Sequence, residues 1–296
     1  MILNKRIPFK YIFFDIKFEM LFVLIIGLLS HIISSEFDDK TFAIPLSIPA
    51  FLGTAISVLL SFKMSQSYDR WWEARKVWGS IVNDSRSLTI QLQSFLIDSS
   101  ELIKTISYRQ IAWCYSLGQS LRGLDPNLNL DKYLSLEDLK HLGKFGNKPL
   151  GLIQLNTQDI KSLRKNNQID SFTQIQLDNT FVRLCDSMGK VERINNTVFP
   201  PKYRLILRWT IFLFVILLSI STGNMALALE LPLLVLSSLI FFLLEKSAFH
   251  LQDPFKNRPS DTPVTAIART IEINIKQLLM DEDIPPSIST NEYFIL

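Results

Sequence analysis

From Thr41 to Phe62 the chain carries no Asp, Glu, Lys or Arg. A hydrocarbon layer about 30 Å thick is crossed by roughly 20 residues of helix, so this run has spanning length. Trp209 to Leu229 meets the same test. Two shorter runs, Met20 to Ile33 and Leu231 to Leu244, are in the range that a buried soluble helix also occupies. Each lies one short polar connection from a strong run, and 48% hydrophobic residues with a mean hydropathy of +0.21 favour the membrane class.

Charge asymmetry decides the weaker pair, because Lys and Arg concentrate on the cytoplasmic side of short loops. Lys5, Arg6, Lys10 and Lys17 precede the first run, whereas Ser34 to Lys40 carries Glu36, Asp38 and Asp39 against one lysine. Lys63, Arg70, Arg75 and Lys76 follow the second run, and Lys202, Arg204 and Arg208 precede the third. The connection Ser221 to Glu230 has no Lys or Arg, and Lys246, Lys256 and Arg258 follow the fourth. Four crossings with both termini inside satisfy every count. No cleavable leader is expected, so the first span serves as its own anchor in the inner membrane. Cys114 and Cys185 then fall on the reducing side.

These readings divide the chain into residues 1–62, with an N-terminal cytoplasmic segment and spans one and two; 63–205, a cytoplasmic helical domain; 206–249, spans three and four; and 250–296, a C-terminal cytoplasmic segment. The pattern predicts one helix running from the second span to about Phe95, then helices over Leu102 to Leu121 and Phe172 to Asn195. Ser135 and Asp138 read as a capping box, Gly143 to Gly151 as a loop, and Asn156 with Asp159 as a further helix start. Asp253 to Pro263 reads as extended, and Val264 to Met280 as a helix burying Ile267, Ile271, Ile275 and Leu278. No strand pattern or internal repeat is visible, so the fold is all-α.

At 100° per residue, Thr54, Val58 and Phe62 share one stripe of the second span. Past the membrane edge the same sector collects Ser65, Gln66, Asp69, Glu73, Lys76, Ser80, Asn83, Asp84, Ser87, Gln91, Ser94 and Asp98. A solvated face is the ordinary reading of such a stripe. Pro45 and Pro49, at the start of the span, argue further: each removes a backbone donor, and freed carbonyls are tolerated where backbone lines protein or water. A proline segment, a narrow apolar collar and a polar funnel in series describe a pore, in which the collar excludes hydrated ions by dewetting. One subunit cannot form a ring, so symmetric self-assembly is expected. Trp71 and Trp78 would pack the helix against cytoplasmic helices, while Arg70, Glu73, Arg75 and Lys76 pair along it.

Four islands in this order resemble the bacterial members of the bestrophin family. They are Ser61-Phe-Lys-x4-Tyr-Asp-Arg-Trp-Trp-Glu-Ala-Arg-x-x-Trp-Gly79, Ile194-Asn-Asn-Thr-x-Phe-Pro-Pro201, Asp253-Pro-Phe255 and Thr265-Ala-Ile-Ala-Arg-Thr-Ile-Glu-Ile-Asn-Ile275. The resemblance implies a homopentameric channel with four spans per subunit, a central pore, and a cytoplasmic vestibule that ends in a further constriction. It puts the neck at Thr54, Val58 and Phe62, and it implies passive flow of monovalent anions such as chloride. Gln66, Asp69, Glu73, Lys76 and Asp84 would line the vestibule. Their acids outnumber their one base, which keeps a cation-selective channel open as the alternative. A membrane-anchored scaffold without conduction is the reading from another class.

Thr54 departs from the family's apolar neck by a hydroxyl. Lys256, Asn257, Arg258, Pro259 and Ser260 stand where eukaryotic members bind calcium, a poor ligand set for an ion that takes six to eight oxygens. His31, His141 and His250 are dispersed, and no spacing for a metal, nucleotide or cofactor site occurs. No catalytic grouping is visible, and a net charge of +3 gives no reason to expect nucleic acid. The expected partners are further copies of the chain, the lipid bilayer and permeant ions.

Overall fold

The structure is a computed structural model that describes residues 1–3, 5–36, 44–97, 99–290 and 292–296. Residues 41–43, where the uncharged run begins, and Asp98, last of the polar stripe, lie outside the described residues. Among the described residues the regular elements are helices: α1 (Phe9–Glu36), α2 (Ser47–Phe95), α3 (Ser100–Leu121), α4 (Leu136–Leu142), α5 (Lys148–Lys165), α6 (Ser171–Asn196), α7 (Pro201–Thr222), α8 (Leu227–Gln252) and α9 (Val264–Leu278). A 3-10 turn at Leu130–Lys132 and an isolated antiparallel bridge between Ile2 and Phe294 complete them. The all-helical expectation holds.

The chain divides into two compact units. Lys5–Trp71 and Val198–Asp253 form a helix bundle; Met1–Asn4, Trp72–Thr197 and Pro254–Leu296 form a body. Helix α2 belongs to both and passes between Trp71 and Trp72 without a break.

In the bundle, α1 packs on α7 and α8, and α7 packs on α8. Ile16, Val23, Ile56, Leu60, Ile211, Phe214 and Phe242 make its core. Its outer surface is apolar: Phe13, Phe18, Leu21, Leu24 and Leu28 of α1 and Leu229, Leu233, Leu236 and Ile240 of α8 are exposed. Its interior holds Glu19, Lys63, Glu230 and Glu245, all buried. That distribution inverts the soluble pattern and suits a hydrocarbon surround, where polar groups must be satisfied internally. Three helices, α2, α7 and α8, are long and apolar enough to cross a membrane. Helix α1, with 28 residues, is longer than α7 and presents the same apolar exterior. At Gly27 a Cβ would come within 2.7 Å of Leu231 Cδ2, so the absence of a side chain lets α1 and α8 approach closely.

The body packs α3 against α5, α6 and α9, with α4 on α5. Its core gathers Trp78, Ile81 and Leu88 of α2 around Trp113, Leu117, Leu184 and Ile271. Side chains close the helix starts as the sequence predicts at Ser135, whose Oγ accepts the Asp138 N–H at 3.1 Å. Asp170 does the same for α6, accepting the Thr173 N–H at 2.7 Å. Helix α9 buries Ile267, Ile271 and Ile275 as its periodicity requires, whereas Leu278, its last residue, is only half-buried.

Three local expectations are revised. Helix α5 starts within the stretch read as a loop, and Asn156 is interior to it: Asn147 Oδ1 caps the Leu150 N–H at 3.1 Å and Pro149 occupies the first turn, where no intrahelical donor is needed. Asp253 to Pro263 is a folded turn, not an extended segment. Asp261 Oδ2 accepts the backbone N–H groups of Lys256 and Arg258, and Thr262 N–H reaches Pro254 O at 3.1 Å. At the start of α2, Pro45 precedes the helix and its carbonyl accepts the Ile48 N–H at 3.0 Å, while Pro49 lies in the first turn. Both prolines mark a helix start, and neither breaks a helical ladder.

Candidate functional site

Helix α2 has 49 residues and no internal proline beyond its first turn. Each side chain on its predicted stripe therefore keeps its register with the one a turn away. In the bundle unit, Thr54, Val58 and Phe62 are uncovered, with Val58 51% and Phe62 63% exposed, while Ile56, Leu60 and Lys63 on the opposite side are buried. The Thr54 hydroxyl donates to Ala50 O at 3.0 Å. This back-bond satisfies the group whose polarity set the collar apart. Pro45 is exposed and Pro49 buried.

Ser65, Gln66 and Asp69 are exposed in the bundle unit; in the body unit Lys76, Ser80 and Asn83 are exposed, and Glu73, Asp84, Ser87 and Gln91 are half-buried. Two of the stripe's acids are paired. Glu73 Oε2 lies 2.7 Å from Lys76 Nζ one turn on, and Asp84 Oδ1 accepts from Arg183 Nε of α6 at 2.8 Å. Arg183 was not visible from the α2 stripe, because its position across from Asp84 is a product of α2–α6 packing; only a basic residue on the polar face of α6 hinted at it. Gln91 accepts from Thr180 of the same helix at 2.8 Å. The tryptophans separate: Trp78 is fully buried in the body core, whereas Trp71 is half-buried in the bundle unit with its ring 6.0 Å from Tyr68.

Inside the bundle, the buried Lys63, Glu19 and Glu245 have side-chain partners of opposite charge. Lys63 Nζ is 2.8 Å from Glu245 Oε1, with Arg204 at 3.8 Å from the same oxygen. Glu19 Oε1 receives Arg208 at 2.8 Å and Lys246 at 3.2 Å. At the other end of α1, His31 Nδ1 lies 2.9 Å from the buried Glu230. His250 Nε2 faces Asp15 Oδ1 of α1 at 3.5 Å. The basic residues that mark topology in the sequence are therefore also the counter-ions of the buried acids.

Among the described residues no group of three or more His, Cys, Asp or Glu side chains is placed to share a metal ion. In the turn after α8, Asp261 Oδ2 accepts two backbone N–H groups. Cys114 is buried, its Sγ 3.7 Å from Ser85 Oγ of α2, and burial pushes its thiol up to about 12.

A family model described as Bacterial/Fungal Bestrophin protein matches residues 9–277. The chain is 31% identical over 252 residues to the voltage-dependent anion channel-forming protein YneE of Escherichia coli K12, spanning 83% of this chain and 81% of that protein. It is 27% identical over 246 residues to a voltage-dependent anion channel-forming protein of Mesorhizobium japonicum, with 82% and 77% covered. The crystal structure of a bacterial bestrophin homologue from Klebsiella pneumoniae superimposes with a TM-score of 0.86 at 27% identity, over 90% of this chain and 99% of that one.

Proposed function

The chain belongs to the bacterial and fungal bestrophin family, and on that premise we propose that it forms a passive channel for monovalent anions, chloride above all, as a homopentamer in the inner membrane. In this reading α1, α2, α7 and α8 of each copy cross the bilayer, both termini face the cytoplasm, and the body unit lies on that side. The α2 helices of the five copies surround a central pore. Thr54, Val58 and Phe62 form its neck, Pro45 and Pro49 its outer approach, and Gln66, Asp69, Glu73, Lys76 and Asp84 line the vestibule. The single observation that carries this is the uncovered face of α2, apolar at Val58 and Phe62 and hydrophilic from Ser65 onward, on an unbroken helix.

A ring of Val and Phe side chains offers nothing to replace a hydration shell, so the neck regulates flow by dewetting and leaves ion sign to the charges beyond it. There the ion pairs matter. With Glu73 bonded to Lys76 and Asp84 to Arg183, Asp69 is the acid of the described stripe for which no counter-ion is in place. Arg183 lowers the acidic surplus of Asp69, Glu73 and Asp84 over Lys76 from two charges to one, which supports the anion reading over the cation one without removing the surplus.

Reversal potential in a planar bilayer across a potassium chloride gradient tests the proposal. A reversal near the chloride equilibrium potential is the expected result. Reversal near that of potassium would establish the cation-selective alternative, and a reconstituted, correctly folded protein that carries no current would establish the scaffold.

A further inference from the structure

The body unit contains a pocket of about 280 Å³ that the α2 stripe does not touch. Its walls come from the C-terminal half of α3, the segment from Leu124 to Tyr133 and the first turns of α9. Small-molecule sites begin at about 300 Å³ and combine apolar walls with a few placed polar groups. This one has that composition. Leu124, Leu128, Val264 and Ala268 supply apolar wall, the stacked rings of Tyr115 and Tyr133 stand 5.7 Å apart, and the charged side chains of the lining are Arg122, Lys132 and Arg269. No Asp or Glu lines it.

Two polar atoms in the lining are buried without a partner. Arg122 donates through Nη1 to Thr265 Oγ1 at 2.6 Å, but its Nη2 has no acceptor. Gln119 donates through Nε2 to Leu128 O at 3.1 Å, while its Oε1 has no donor. Asp261 is the carboxylate that acts on the Arg122 charge; its Oδ2 is held by the backbone of Lys256 and Arg258, and its Oδ1 is buried without a hydrogen-bond partner. Burial accordingly holds the Arg122 guanidinium below its ordinary range. An unsatisfied buried guanidinium is costly, and a planar carboxylate is the group its fork matches. Arg269 is engaged through Nε, 3.0 Å from Tyr115 Oη and 3.3 Å from Glu272, and Lys132 stands exposed at the rim.

We propose that this pocket is a binding site for a small organic carboxylate with an apolar body, its carboxylate held by Arg122 with Lys132 at the mouth, and its body against Tyr115, Tyr133 and Leu128. The Gln119 carbonyl oxygen favours ligands that also carry a hydrogen-bond donor. The site lies outside the proposed ion path and does not depend on conduction.

Benzoate is the minimal probe. Its proton line widths, titrated with the detergent-solubilised full chain, should show saturable binding, with benzyl alcohol, the uncharged counterpart, failing to saturate. Arg122→Gln should weaken benzoate by about tenfold or more, the range for a charge-assisted hydrogen bond. Leu128→Glu changes an exposed rim residue and adds an anion at the mouth; it should weaken benzoate while leaving the melting temperature in place, and serves if Arg122→Gln does not fold. Absence of saturation, equal binding of benzyl alcohol, or unchanged benzoate affinity in a folded variant overturns the proposal and identifies the space as an aqueous cavity. Because the readout is binding alone, a chain that carries no current but binds benzoate in this way sinks the channel reading and leaves this one standing.

Discussion

Lys63 Nζ and Glu245 Oε1 lie 2.8 Å apart, and the two side chains are 0% and 1% exposed. The lysine follows Phe62 directly, so the residue that faces outward on the stripe and the residue that anchors α2 to α8 are neighbours in sequence. A buried ion pair adds little net stability against an apolar replacement of both partners, but removal of one leaves a bare charge in a low dielectric. Lys63→Met alone should therefore destabilise the protein by about 3–5 kcal/mol, and Lys63→Met with Glu245→Leu should recover most of that loss. Unfolding midpoints of the parent and the two variants in one detergent check it; a double variant as weak as the single one would show that the pair is worth more than its desolvation.

Phe62→Ala removes the largest side chain of the proposed neck from a position where it is 63% exposed and packs on little within its own chain. Single-channel conductance should rise and stability should change by less than about 1 kcal/mol, as for surface positions in general. Unchanged conductance in an active preparation would place Phe62 off the ion path.

Asp69 is exposed on the stripe, next to a Glu73 that Lys76 already holds. Asp69→Asn should move the reversal potential further toward that of chloride, since a ring of carboxylates disfavours anions. Asp84→Asn should also free Arg183, which is 46% exposed, and shift the potential in the same direction. A shift toward potassium in either variant contradicts the assigned vestibule lining.

Gly118 lies where a Cβ would come within 2.5 Å of Val264 Cγ1. Gly118→Ala should cost about 1–3 kcal/mol through overpacking between α3 and α9, and Val264→Ala in the same chain should relieve it. Thermal melting of the single and double variants separates this contact from a general effect on α3.

The Cys114 thiol, fully buried and pushed up to about 12, is protonated at pH 8, and the thiolate is the reactive form. A maleimide at pH 8 should therefore modify the partly exposed Cys185 and spare Cys114 in the folded protein. Peptide mass spectrometry of the labelled chain reads the two sites separately.

Residues 47–95 were legible because each property that identifies the helix is local: an uncharged run, a polar sector at constant angular step, and no breaker. The cap at Ser135 is local in the same way, and so is the apolar face of α9. What escaped the sequence depends on partners far along the chain. Nothing near Asp84 announces Arg183, and nothing near Asp15 announces His250. The start of α5 was misplaced for a different reason: Lys148-Pro149 after Asn147 is a capped first turn, but glycines at 143, 146 and 151 mask it as a loop. Within that helix a glycine stands at 151 because Leu142 and Phe145 crowd its Cβ position, with atoms at 2.9 and 3.0 Å, and that crowding has no signature in the spacing. The prolines at 45 and 49 were placed correctly at the head of the span, but their effect on the backbone was not, since the helix begins only at Ser47.

Glu19 finds its counter-ions at Arg208 and Lys246, more than half the chain away. Both bases are made after α1 and α2 on any growing chain, so in the proposed topology Glu19 gains its counter-ions only once α7 and α8 exist, and closure of the bundle waits for a nearly finished polypeptide.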